Sequence, residues 1–359
     1  MALPAGSTLG MLGGGQLGRM LAMAAAKFGY RTIIFDPDPN APAAQVANEH
    51  VVADYSDRAA LERFARRCQI VTYEFENVPV DAAKIIDAIT PVRPGPQALE
   101  AAQDRLAEKN FLNNAGIRTA PFRTVDSDGD LARALTEFGG DGVLKTRRMG
   151  YDGKGQRVFK AAQAAQTAGV FEAFGSKPLI LEGLVPFARE ISVIAARGHQ
   201  GEVLAFDPAE NVHHDGILRM SKVPASCSNE TRQKAVDAAT AIVNALSYVG
   251  VIGVEFFVLD DGALLVNEIA PRVHNSGHWT EAACAVSQFD QHIRAIAGLP
   301  LGAPWRHSDC VMENLIGDVI NRIETLCRED GVVVHHYGKT DVRPGRKMGH
   351  FTRLTSRSI

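Results

Sequence analysis

The segment Val143-Leu-Lys-Thr-Arg-Arg-Met-Gly-Tyr-Asp-Gly-Lys-Gly-Gln156 constrains this chain more than any other, because an apolar strand carrying a lysine runs directly into a loop with glycine at 150, 153 and 155. Glycine reaches backbone angles closed to other residues, so successive N–H groups can converge on phosphate oxygens with no Cβ in the way. Lys145 and Lys154 put positive charge at the same place. The pattern predicts a hairpin whose turn covers a nucleoside triphosphate. A basic, glycine-rich turn with no ligand is the plain alternative.

A length of 359 residues exceeds what one hydrophobic core organises, so two or three domains are expected. A formal charge of −3 carries no basic excess, which argues against nucleic acid as a partner and suits a small anionic ligand bound locally. The five cysteines are dispersed and never spaced as Cys-x-x-Cys, so neither a disulfide framework nor a zinc knuckle is expected, and reducing cytoplasm is the expected location. Residues 1–8 lack a basic segment followed by an apolar one, and no later apolar run approaches a membrane span of about 20 residues. No membrane association is expected.

From Ser7 the pattern reads strand, Gly13-Gly-Gly-Gln-Leu-Gly18, alanine-rich helix through Phe28, then a strand over 30–35 ending at Asp36, which is a β-α-β unit. A strand over 70–75 ends in Glu74 and Glu76, at the edge where open α/β sheets bind ligands. Thr90-Pro-Val-Arg-Pro-Gly-Pro96 punctuates the chain before a helix over 98–115, and Gly298-Leu-Pro-Leu-Gly-Ala-Pro304 precedes a β-patterned tail. The expected fold class is mixed α/β and α+β, with domains at 1–98, 99–304 and 305–359.

Gly13-x-Gly15-x-x-Gly18 with Asp36 eighteen residues on satisfies the dinucleotide fingerprint, so a nicotinamide-dependent oxidoreductase is a rival reading. The second glycine loop would have no task in such an enzyme. The first loop is therefore expected to take an anionic substrate and the second ATP.

Two apolar strands flank Asp261-Gly262 in the stretch 251–269, a signal for a two-residue hairpin turn. Counting outward from that turn sets Glu255 opposite Glu268. Facing carboxylates among apolar residues are destabilising unless one is protonated or a cation bridges them. Magnesium, which takes oxygen ligands and is commonly shared with phosphates, is the expected cation. The pairs His213-His214 and His335-His336 predict no transition-metal site, since neighbours on a strand point to opposite faces. Trp279 and Trp305 are expected to pack.

Taken together, Lys145, Gly150-Tyr-Asp-Gly-Lys-Gly-Gln156, Leu181-Glu-Gly-Leu-Val185, Glu255 and Asn267-Glu-Ile-Ala-Pro-Arg-Val-His-Asn-Ser-Gly-His-Trp279 resemble the ATP-grasp superfamily, and within it the N5-carboxyaminoimidazole ribonucleotide synthetases. The likeness runs from the Gly13 loop to Gly349 and includes Val342-Arg-Pro-Gly-Arg-Lys347. It implies an ATP-grasp architecture: a Rossmann-like N-terminal domain, a central ATP-grasp domain with a lid, and a small β-rich C-terminal domain. It implies ATP contacts from Arg105, Lys145, the lid residues Gly150, Gly153, Lys154, Gly155 and Gln156, and the strand residues Glu182, Gly183, Leu184 and Val185. Glu190, His213 and Asn267 complete the implied nucleotide set, with magnesium on Glu255 and Glu268.

The ribonucleotide is implied to lie among Gln16, Leu17, Glu76, Arg272, His274, Asn275, Ser276, Lys339, Arg346 and Lys347. The residues themselves support part of this, since Arg343, Arg346 and Lys347 form a basic turn able to clamp a phosphate. The implied reaction is carboxylation of 5-aminoimidazole ribonucleotide by bicarbonate, activated by ATP as carboxyphosphate, in a homodimer. Tyr151, Asp152, Arg272 and His274 are the implied catalytic groups, with Asp152 or His274 managing the proton of the amine. A sister ligase using formate and glycinamide ribonucleotide, and a nucleotide-binding module without turnover, are the alternatives. The sequence departs from the pattern at Ala270, where many relatives carry an asparagine, at Met149, where a glycine is common, and in its short C-terminus.

Overall fold

The structure is a computed structural model that describes residues 2–150, 155–161 and 166–358. The lid residues Tyr151, Asp152, Gly153 and Lys154 lie outside the described residues.

The N-terminal unit is a parallel sheet in which Thr8–Leu12 lies between Arg31–Phe35 and Ile70–Tyr73, with Glu49–Val51 at the far edge. These short runs are almost wholly apolar because helices cover both faces, as a parallel sheet requires. The predicted β-α-β unit is present, with Gln16–Lys27 as its helix. Its glycine loop, however, is closed by the chain itself. Gly14 N–H donates to Asp36 Oδ2 at 2.6 Å, while Gly15 and Gly18 N–H donate to Glu74 Oε1 and Oε2 at 2.8 and 2.9 Å. A Cβ on Gly15 would lie 2.5 Å from Glu74 Oε1, so the close approach requires glycine. The amides of Gly14, Gly15 and Gly18 are thus satisfied within the chain and are not open to a dinucleotide phosphate. That removes the observation behind the oxidoreductase reading.

The helix expected over 98–115 is two helices, Pro96–Ala102 and Arg105–Asn114. The break falls at Asp104, whose carboxylate caps the second helix by accepting from Leu106 N and Ala107 N and also pairs with Arg147 at 2.8 Å. Beyond it, a four-stranded antiparallel sheet runs in the order Phe122–Val125, Leu179–Gly183, Gly142–Thr146, Gln156–Phe159. Lys145 pairs with Gln156 across its hairpin, as the glycine spacing predicts.

The third sheet has nine strands. Leu264–Ala270, Gly250–Val258, Arg189–Arg197, Ala209–His214 and Ile217–Val223 continue without a gap into Ser308–Ile316, Lys347–Ser356 and Val332–His336, while Val203–Ala205 pairs with Arg189–Arg197. The β-patterned tail is thus an extension of the central sheet. Alternate residues of the central strands face opposite cores: Val193, Ile252 and Val254 pack with Ala235, Ala239 and Ile242 of the helix Asn229–Ala245, and Ile194 and Val251 with Phe289 and Ile293 of Gln288–Ile296. Trp279 is fully buried with its ring edge-on to Phe206, whereas Trp305 is 52% exposed and does not pack as expected.

Replacing Glu74 by glutamine leaves one of the two loop amides facing a donor instead of an acceptor. Glu74→Gln is expected to lower stability by about 1–3 kcal/mol, read as a shifted urea midpoint at unchanged m-value.

Candidate active site

The nine-stranded sheet brings Glu255 directly opposite Glu268, as the hairpin count predicts, but by another route. Leu259 N–H donates to Ala263 O and Gly262, at φ +80°, donates to Leu259 O, so the loop has three residues, 260–262. Three-residue hairpins place a glycine in this left-handed position. The longer loop shifts the pairing by one, setting Phe256 opposite Val266. A bulge between Glu255 and Phe256 takes up Asn267 and restores the register. The two one-residue differences cancel at the carboxylates.

Burial and the facing Glu268 push the Glu255 carboxyl up to about 7. Arg105 Nη1 lies 3.2 Å from Glu268 Oε2, and the buried Asn267 Oδ1 has no hydrogen-bond partner. Two carboxylates and an orphaned amide oxygen lining one cleft fit an oxygen-seeking divalent ion such as magnesium.

The small sheet and the helix Arg105–Asn114 form one wall. Lys145 Nζ is 3.0 Å from Glu182 Oε2, and Lys109, with no exposed surface, is 3.4 Å from Glu182 Oε1. Burial alone would raise the Glu182 carboxyl, yet Lys145, Lys109 and Arg105 hold it at about 2. Glu108 is buried, is pushed up to about 8 chiefly by that burial, and accepts from Ile269 N–H at 2.6 Å, fixing the strand that carries Glu268. Sequence reading missed Glu108 and Lys109. Their signal is a charged stripe with Arg105 on one helical face, which without the fold reads as a solvated surface. It also missed Phe187 and Phe257, whose rings stack at 4.6 Å in the cleft beside Gly183, Leu184 and Val185. Glu190 and His213 line the same region, with His213 Nδ1 2.8 Å from Glu190 Oε2.

The opposite wall comes from all three parts of the chain. Gln16, Leu17 and Glu76 meet Arg272, His274 and Asn275, and beyond them Lys339, Arg343, Arg346 and Lys347, around a single cleft of about 1170 Å³. Arg272 Nε and Glu76 form an ion pair that outweighs burial and lowers the Glu76 carboxyl to about 2. His274 Nδ1 accepts from Ser276 N–H and lies 2.8 Å from Ser276 Oγ, so Nε2 carries the proton and faces Glu255 Oε1 at 3.6 Å. Burial, with Arg272 and Lys347 beside it, lowers the imidazole to about 3. Asn275 forms a reciprocal amide pair with Asn314 at 2.8 and 2.9 Å.

Two expected site residues do not line the cleft. Ser276 has no exposed surface; its hydroxyl accepts from Ser192 at 2.7 Å and lies behind His274. Gly155 sits at φ +72° against Thr146, where its carbonyl accepts from Thr146 N–H, so it shapes the hairpin turn. The remaining described residues of the implied set, including Gly150 and Gln156, line it together.

The family profile of the ribonucleotide synthetase preATP-grasp domain matches residues 6–103, that of the ATP-grasp domain residues 110–289, and that of the phosphoribosylaminoimidazole carboxylase C-terminal domain residues 310–358. The chain is 58% identical to the N5-carboxyaminoimidazole ribonucleotide synthase of Brucella melitensis, over 100% of this chain and 99% of that one. It is 43% identical to the Bacillus subtilis synthase over 97% and 91%. The chain belongs to this synthase family. Among solved structures, the Staphylococcus aureus synthetase complexed with ADP superposes with a TM-score of 0.93 at 36% identity, covering 99% of this chain and 94% of that one. The Aspergillus clavatus synthase in complex with ADP and 5-aminoimidazole ribonucleotide gives 0.90 at 33%, covering 98% and 94%. Met149, one of the departures noted from the sequence, is 70% exposed and adopts φ +61°, the left-handed region that favours glycine. Ala270 is buried and faces Gly253 across the hairpin.

The Glu76 carboxyl lies near 2 in the folded chain against an ordinary 4.5. Its contribution to stability is complete above pH 4.5 and lost as pH falls toward 2. Urea unfolding of the wild type across that window should lose more stability than Glu76→Gln does, by on the order of 3 kcal/mol. Parallel slopes in the two proteins would contradict the ion-pair account.

Proposed function

We propose that this chain carboxylates the exocyclic amine of 5-aminoimidazole ribonucleotide in an ATP-dependent reaction, with bicarbonate as the carbon source, releasing N5-carboxyaminoimidazole ribonucleotide, ADP and phosphate. The observation that carries this reading is the continuity of the cleft: the acidic pair Glu255 and Glu268 lies between the lysine-bearing wall and the wall of Arg272 and the basic turn. Triphosphate and ribonucleotide phosphate can therefore be held at opposite ends with the reacting groups between them.

Bicarbonate is a poor electrophile, and phosphorylation by ATP makes it carboxyphosphate. That transfer depends on positioning and charge neutralisation more than on covalent help. Lys145 and Arg105 place positive charge on the triphosphate side. Glu255, Glu268 and the amide oxygen of Asn267 would hold magnesium, which supplies neutralisation of phosphate charge. Gly183 to Val185, with the stacked Phe187 and Phe257, offer a flat apolar slot for the adenine, and Glu190 a carboxylate for its ribose. Arg343, Arg346 and Lys347 take the phosphate of the ribonucleotide as charge-assisted donors, with Lys339 beside them. Arg272, held by Glu76, faces the bicarbonate-derived carboxylate.

The neutral His274 presents Nε2–H and acts as a donor, so the proton of the amine passes to another acceptor. Asp152 on the lid is the group we assign to it. We further infer a cytoplasmic homodimer, which the family resemblance supports and analytical ultracentrifugation tests. No helix among the described residues is long and apolar enough to cross a membrane.

A coupled assay should show ADP release that requires both bicarbonate and 5-aminoimidazole ribonucleotide. Equal release with formate and glycinamide ribonucleotide would overturn the reading. Glu268→Gln should reduce turnover by about 10²-fold or more, and Asp152→Ala should reduce carboxylation more than ATP binding. A Cβ at position 253 would lie 2.6 Å from the His274 Cβ. Gly253→Ala should therefore displace the imidazole and cut turnover by about 10²-fold while the thermal transition stays cooperative.

A further inference from the structure

Behind the basic wall, the fold gathers three side chains that the sequence keeps apart. Glu281 on the short helix Thr280–Ala283, His335 on Val332–His336 and His350 on Lys347–Ser356 present ligand-type atoms that all lie within 4.8 Å of one another. Glu281 Oε2 is 2.9 Å from His335 Nδ1 and 3.8 Å from His350 Nε2. The edge of a tetrahedron with metal–ligand bonds of the zinc type is about 3.3 Å, between these two separations. The longer one exceeds hydrogen-bond reach, so a direct hydrogen bond to this carboxylate does not account for His350.

The surroundings suit a metal as well. His350 Nδ1 lies 3.0 Å from the hydroxyl of the fully buried Tyr337, the arrangement by which ligating histidines are oriented through their other nitrogen. A carboxylate oxygen thus faces two imidazole nitrogens, with His350 buried and Glu281 and His335 partly buried.

The geometry points to a second divalent site, in which Glu281, His335 and His350 bind a transition ion of the zinc class and leave a fourth position to water. Imidazole nitrogen selects such ions over magnesium, which keeps the all-oxygen pair Glu255 and Glu268. This proposal departs from the expectation for His335-His336: the adjacent His336 is no ligand, but His350, directly opposite His335 on the neighbouring strand, and Glu281 on the short helix complete the set. Glu281 follows that turn closely, His335 lies four residues before Lys339 and His350 three after Lys347. The ion would pin the basic wall to the Arg272 side of the cleft.

The test uses the full-length protein, stripped with a chelator and titrated with Zn²⁺ alone and Co²⁺ alone in excess Mg²⁺. One equivalent of Zn²⁺ should bind with a rise in melting temperature, and Co²⁺ should give the intense visible band of tetrahedral nitrogen ligation. Glu281→Gln and His335→Gln should each weaken Zn²⁺ binding by about 100-fold or more, while His336→Gln and Glu255→Gln retain it. The absence of stoichiometric Zn²⁺ in the wild type overturns the proposal, as does binding that survives both ligand substitutions or is lost in Glu255→Gln. Should a ligand variant fail to fold, the Co²⁺ spectrum of the wild type decides: a weak band of all-oxygen ligation overturns the site.

Discussion

Two carboxylates that repel one another hold the centre of this molecule. Glu255 and Glu268 face each other on adjacent strands, and a cation offsets their repulsion only if neither strand can turn its side chain away. The sheet prevents that turning. The Glu255 strand is paired along its other edge to Arg189–Arg197, with Glu255 opposite Ser192, so a one-residue slip would carry a whole apolar face into the cleft. Glu268 is fixed from behind, where Glu108 accepts from the next backbone amide and Arg105 reaches its carboxylate.

Around that pair, ion pairs join the parts of the chain. Arg272 to Glu76 ties the nine-stranded sheet to the parallel sheet, Arg147 to Asp104 ties the small sheet to the helix break, and Lys145 with Lys109 meet at Glu182. Buried pairs of this kind are poor sources of net stability, because desolvation consumes most of the attraction. Their value here is directional. Each fixes a side chain at the cleft in one orientation, and each would be costly to break from one side only.

Much of the fold was legible because its signals are local. The parallel unit, the lysine strand with its glycine turn, and the carboxylate hairpin follow from alternation, glycine placement and apolar runs within short windows. Even the hairpin shows the limit of that reading. The turn type was wrong by one residue, and a bulge at Asn267 that no local pattern announces put the glutamates back in register. The dinucleotide fingerprint misled for a related reason: a helix N-terminus attracts any anion, and the one that Gly15 and Gly18 hold, Glu74, lies 59 residues from Gly15.

The sequence by itself determined the hairpins that set Lys145 beside the glycine turn and Glu255 opposite Glu268, since alternation and turn placement act within short windows. Only the tertiary structure decided which carboxylate meets which donor. Glu108 reaching Ile269, Ser276 retreating behind His274, Lys109 turning inward and Glu281 meeting two distant histidines all depend on contacts across long stretches of chain, and Glu108 and Ile269 alone are 161 residues apart. Local pattern fixes a residue's strand or helix and its face. What stands opposite that face is set by how the sheets pack, and burial there is what changes the charge states.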